Sequence, residues 1–157
     1  MSHLADLTTT IKDTGALIEA LIQVGFKREQ IEIHSTAVTM TGYHGIADNK
    51  KAHIIIRKQH TGIPSDIGFE MGADGFYHAH IDNYNYSPNF GGSHCRGGHY
   101  DDTWTQKVQT YYNVAVSEKA LKAQGLKYEK SFDSAGRIVL KASFDTDTTG
   151  SKLKNYL

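Results

Sequence analysis

Three consecutive isoleucines, Ile54-Ile55-Ile56, held between His53 and Arg57, limit what this chain can fold into more than any other feature. β-Branched side chains are stiff at χ1 and pack well on a pleated surface, so the run reads as a buried strand, and a buried strand needs a sheet around it. Ile31, Ile33, Val38 and Met40 add strand pattern ahead of it, broken by Thr41-Gly42-Tyr43-His44-Gly45. Behind it, Ile67 to Glu70 and Phe76 to Asp82 flank Gly72-Ala73-Asp74-Gly75 as the arms of a hairpin. The opening Leu4 to Ile11 alternates loosely and is Thr-rich, which suits a short strand.

Two segments carry helical period instead. Leu17, Ile18, Leu21 and Ile22 form an amphipathic stripe with Asp13 or Thr14 placed to cap it and Gly25 to end it. Trp104, Val108, Tyr111 and Ala115, widened by Tyr112 and Val116, give a second stripe that starts at Asp101 or Asp102 and stops at Gly125; its simplest role is a core face. A C-terminal hairpin follows: Leu126 to Phe132, a turn at Asp133-Ser134-Ala135-Gly136, then Arg137 to Phe144 with Ile138, Leu140, Ala142 and Phe144 on one face. The order β-α-β(3 to 4)-α-β-β predicts an α+β fold, an antiparallel-rich sheet with two helices packed on one face. Residues 1–144 read as a single domain and the polar stretch 145–157 as a fraying tail.

Composition sets the outer limits. A chain of 157 residues with 39% hydrophobic and 22% charged residues is long enough to bury a core without metal or disulfide support. Seventeen basic against seventeen acidic residues leave no net charge, which argues against a dedicated nucleic-acid binder. Cys95 is the single cysteine, so no intrachain disulfide forms. No leader-like or membrane-spanning apolar run occurs, and the expectation is a cytoplasmic protein.

Histidine supplies the most suggestive chemistry. On a strand His78, His80 and Asp82 share a face, and the following loop adds His94, Cys95 and His99, with Cys95-x-x-x-His99 spaced to close around zinc or another divalent transition metal. Glycines 91, 92, 97 and 98 would let the backbone wrap such an ion. No C-x-x-C pair or H-E-x-x-H helix accompanies these residues, so a solvated strand face with a His-rich loop is the simpler account. Were metal bound, Asp82 or Asp101 would be the base of a metal-dependent hydrolase acting on a phosphoester-type substrate. A second cluster, Tyr77, Tyr84, Tyr86, Phe90, Arg96 and Tyr100, mixes rings with hydrogen-bonding groups in the way binding surfaces do, or packs beneath a loop. Gly91-Gly92-Ser93 and Gly97-Gly98 lack the Gly-x4-Gly-Lys-Ser pattern, which excludes a P-loop.

Several stretches together resemble one family. Met1-Ser2-His3 leading into Ile11-Lys12, the helix LIEALIQVGF, the strand Asp66-Ile67-Gly68-Phe69 and the C-terminal QKVQTYYNVAV…GLKYEKSFDSAGRIVLKASF are similar to the domain of unknown function 1257 family, found in red-algal chloroplast and cyanobacterial genomes. Tyr111 and Tyr112 sit where that family has a Q-x-Y-type helix, and Gly136-Arg137-Ile138 resembles its G-x-I-x-L strand. The Gly- and His-rich loop at 87–99 departs from the family pattern and inherits no role from it. The resemblance implies an accessory protein, with an ATPase of the AAA type as partner. The resulting expectation is a non-catalytic accessory or binding module that forms a homo-oligomer and uses the Tyr/His-rich surface at 77–100 for a partner or small ligand, with the metal-dependent hydrolase as the alternative.

Overall fold

The computed structural model describes residues 4–42, 47–82 and 100–143. In chain order the described elements are β1 (Leu4–Thr8), α1 (Thr14–Gln23), a 3-10 turn (Arg28–Gln30), β2 (Ile31–Thr41), β3 (Ala47–Ile56), the short helix α2 (Lys58–Thr61), β4 (Ile67–Met71), β5 (Tyr77–Asp82), α3 (Asp102–Ala123), β6 (Lys127–Phe132) and β7 (Ile138–Ser143). The α+β class read from the sequence is the class observed. The chain divides into two compact units, residues 1–112 and 113–157, with the division inside α3.

In the first unit β2, β3, β4 and β5 run as an antiparallel meander, and β1 adds antiparallel to β5, giving the order β1-β5-β4-β3-β2. Register divides the sheet into two faces. Leu7, Phe69 and Ala79 are opposed across β1, β4 and β5, and the same parity puts Tyr77 and Ile81 on their face. The other face carries Asp6, Gly68, His78, His80 and Asp82. Helix α1 begins where expected: the Asp13 side chain accepts the Ala16 amide at 2.9 Å and satisfies one of the helix's orphan donors. It buries Ala16, Leu17, Ala20 and Leu21. Tyr112 of α3 then ties this start in place, its hydroxyl accepting the amides of Lys12 at 3.1 Å and Asp13 at 3.0 Å.

The β4–β5 turn follows its residues. Gly75 sits at φ 84°, where an L side chain is strained, and Asp74 Oδ1 accepts the Phe76 amide at 3.0 Å. On the far side of β4, a Cβ at Gly68 would stand 2.5 Å from Met40 Sδ and 2.7 Å from Ala52 Cβ, so β4 lies close against a cluster of Leu4, Met40, Ala52 and Ile55.

In the second unit the expected hairpin forms, with Tyr128 opposite Ala142 and Lys130 opposite Leu140. It makes a separate two-stranded sheet. Only Gln124, Gly125 and Leu126 separate α3 from β6, so the hairpin turns straight back on the helix end, where Leu121, Leu126 and Ala142 cluster with Tyr128 and Leu140.

Asp66 is 1% exposed and joins three elements of the first unit. Its carboxylate accepts the Thr41 amide at the end of β2 at 2.8 Å, the Lys58 amide at the start of α2 at 2.8 Å and Arg57 Nη1 at 3.0 Å. Asp66→Ala strands these donors and is expected to lower the unfolding free energy by about 2–4 kcal/mol, read as a shift of the urea midpoint. A shift below about 0.5 kcal/mol, the usual size of a surface change, would show that water replaces the carboxylate.

Candidate functional site

The helix-covered face of the sheet holds a cavity of about 240 Å³, all of it within the first unit. Its apolar walls are Leu7 from β1, Ile11, Phe69 from β4, Ala79 from β5, and Trp104 and Val108 from the first turns of α3. Period two on the strands aims Leu7, Phe69 and Ala79 at the helix, and i, i+4 spacing aims Trp104 and Val108 at the sheet. Thr9, Thr105, Gln106 and Gln109 supply polar atoms to the lining. The Thr9 hydroxyl is occupied, donating to the Tyr77 carbonyl, and the Thr105 hydroxyl donates to the Asp102 carbonyl at 3.0 Å.

Trp104 is held from behind. Tyr100 meets it edge to face, with centroids 5.0 Å apart and planes at 89°, a favoured aromatic geometry. Tyr100 is buried and its hydroxyl donates to the Thr61 carbonyl. Tyr77 is buried too, its hydroxyl 2.5 Å from the Thr14 hydroxyl. The two tyrosines are therefore core side chains and not part of a contact surface: strand parity turns Tyr77 inward, and Tyr100 is fixed between the Thr61 carbonyl and the Trp104 ring. Tyr84, Tyr86, Phe90 and Arg96 lie outside the described residues.

The opposite face carries the histidines. His78, His80 and Asp82 do share it, facing Thr8, Asp6 and Leu4 of β1 across the ladder. The structure does not gather them round one point. His78 is bound at both ring nitrogens, Nδ1 to Asp6 Oδ1 at 3.0 Å and Nε2 to Asp74 Oδ2 at 3.0 Å. Two carboxylate acceptors favour two N–H donors, and so the imidazolium form. The contacts with Asp74 first, and Asp6 second, raise the His78 pKa above its ordinary value. Lys50 Nζ lies 3.9 Å from Asp6 Oδ2. His80, 1% exposed, donates Nε2 to Glu70 Oε1 at 2.9 Å. Among the described residues its Nδ1 is buried without a hydrogen-bond partner. Among the described residues no three His, Cys, Asp or Glu side chains converge so as to hold a metal ion. His94, Cys95 and His99 lie outside the described residues.

Sequence reasoning missed Asp6, Glu70 and Asp74 as histidine partners, and it treated Trp104 as ordinary core. Asp74 alone left a local signal, four residues before His78 across a turn; Asp6 meets His78 only through the β1–β5 pairing.

The His78 cluster predicts a pH-dependent contribution to stability. A raised folded-state pKa means the contribution is fully present below about pH 6.5, the unfolded imidazole value, and is lost as pH rises through the folded value. Asp74, held below its usual range by the Phe76 amide and then by His78, keeps its charge into acid. Urea unfolding of wild type and His78→Gln should therefore differ most in weakly acid buffer and converge in alkaline buffer. A gap that does not change with pH would leave His78 a purely steric residue.

No helix among the described residues is long and apolar enough to cross a membrane. Comparison of the chain with protein-family models, curated proteins and solved structures finds no match in any of the three.

Proposed function

We propose that this protein is a non-catalytic binding module that takes a small molecule into the cavity between β1, β4, β5 and the start of α3. The observation that carries the reading is the cavity itself: concave, walled by Leu7, Phe69, Ala79, Trp104 and Val108, with a few polar groups among them. Binding is favoured over catalysis because no ionisable side chain occurs in its lining among the described residues. An accessory role, which the resemblance to the domain of unknown function 1257 family implies, is consistent with a module of this kind.

Native mass spectrometry of the full chain, purified without a tag, should show an added mass of one small molecule that disappears on denaturation. Ala79→Leu, which fills the cavity from the sheet side, should remove that mass while leaving the circular dichroism unchanged. A bare chain whose Trp104 emission also fails to respond to any member of a fragment set would sink the reading.

Self-association belongs to the same proposal. In the described sheet β1 and β2 are the edges, and Ile33 of β2 is 42% exposed there. Sizing should find an oligomer that Ile33→Lys shifts toward the monomer; a wild-type monomer at all concentrations would remove this part of the proposal.

A further inference from the structure

We infer that the ligand of this cavity is an uncharged molecule built on a single aromatic ring, with one polar substituent at its edge; the inference rests on the cavity being a binding site, as proposed above. Charge is decided by the walls. The lining residues of the cavity are aliphatic, aromatic, Thr or Gln, and none offers a counter-ion among the described residues. A carboxylate or ammonium moved from water into such a space is penalised far more than a neutral group of the same shape. Size is bounded by the volume: 240 Å³ lies below the roughly 300–1,000 Å³ of drug-sized pockets, which suits one ring system.

The aromatic character follows from Trp104 and Phe69. Phe69 is 2% exposed and fixed in the sheet. The Trp104 ring is set by Tyr100 at 89°, and Tyr100 is anchored on Thr61, so a flat surface stands in place before any ligand arrives. A rigid ring costs little entropy to use as a contact. A planar ligand gains the offset or edge-to-face geometry that a puckered ring of equal size cannot adopt. The polar substituent follows from the Thr and Gln groups. With the Thr9 and Thr105 hydroxyls already donating to carbonyls, and Thr8 opposite His78 so that its side chain belongs to the histidine face, the Gln106 amide, which makes no side-chain hydrogen bond among the described residues, is the group to receive it.

Phenol, benzoate and cyclohexanol separate these features at nearly constant size. Trp104 is the chain's single tryptophan, so its emission reports occupancy directly, with calorimetry as the independent readout. Phenol should saturate; benzoate should bind at least about ten-fold more weakly, because its charge is stranded. Cyclohexanol should bind about three- to ten-fold more weakly than phenol, the range expected for a lost aromatic contact. By calorimetry Trp104→Leu should bring phenol down to the cyclohexanol level, and Ala79→Leu should abolish binding of all three. Benzoate binding as tightly as phenol overturns the uncharged assignment, and cyclohexanol binding as tightly overturns the aromatic one; either result leaves the binding module standing. If none of the three saturates, any molecule found by native mass spectrometry decides: an uncharged aromatic upholds the inference, any other class overturns it, and a bare chain removes the binding module with it.

Discussion

A buried carboxylate joins the parts of the first unit that sequence leaves separate. Asp66 takes hydrogen bonds from the ends of β2 and β3 and from the start of α2, and its own amide donates to the Thr41 carbonyl at 2.9 Å. An ionised carboxylate with several charge-assisted or amide donors is stable out of water, whereas the same group alone would not be. Arg57 completes the arrangement by pairing also with Glu32, through Nε at 2.9 Å and Nη2 at 3.0 Å, and this contact is the chief reason the Glu32 carboxyl titrates below its usual range. With these ends fixed, β4 follows immediately after Asp66, and Gly68 can approach Met40 and Ala52 at a distance no side chain would permit.

From β4 the sheet passes to β5, whose alternation divides the chemistry of the unit. Tyr77, Ala79 and Ile81 face the helices, and Ala79 leaves space that a larger residue would fill, which is how the cavity beside Trp104 arises. His78, His80 and Asp82 face the other way and are taken up by Asp6, Asp74 and Glu70 or buried within the sheet. Of the histidines that attract attention in the sequence, His78 and His80 thus hold strands together. The residues that form the cavity attract little, because Leu, Phe, Ala and Trp at regular spacing look the same whether they fill a core or surround a space.

Local chemistry made much of the fold legible. Asp13 ahead of an apolar stripe fixes the start of α1, since an exposed set of amides needs an acceptor there. The two hairpin turns share a device that can be read directly: an Asp whose side chain accepts nearby amides, followed by a glycine at positive φ, as at Asp74-Gly75 and at Asp133 with Gly136. What was not legible depends on distance along the chain. The β1–β5 pairing brings Leu4 to Asp82, and no local pattern announces it. The hairpin's separation from the main sheet was equally hidden, because alternation tells which face of a strand is apolar and not which neighbour it meets.

The sequence by itself determined the α+β class, the order of the elements apart from the short helix α2, the helix caps, the hairpin turns and the face shared by His78, His80 and Asp82. Each depends on residues within about one turn or one strand of each other, where periodicity and φ preference act directly. Tertiary structure alone decided that Tyr77 and Tyr100 are core, that His78 lies between the Asp6 and Asp74 carboxyl groups, and that Trp104 borders a cavity. Those outcomes require β1 to lie beside β5 and the first turns of α3 to lie over them. Such long-range placement follows from burying all the apolar faces at once, a condition that no single stretch of sequence expresses.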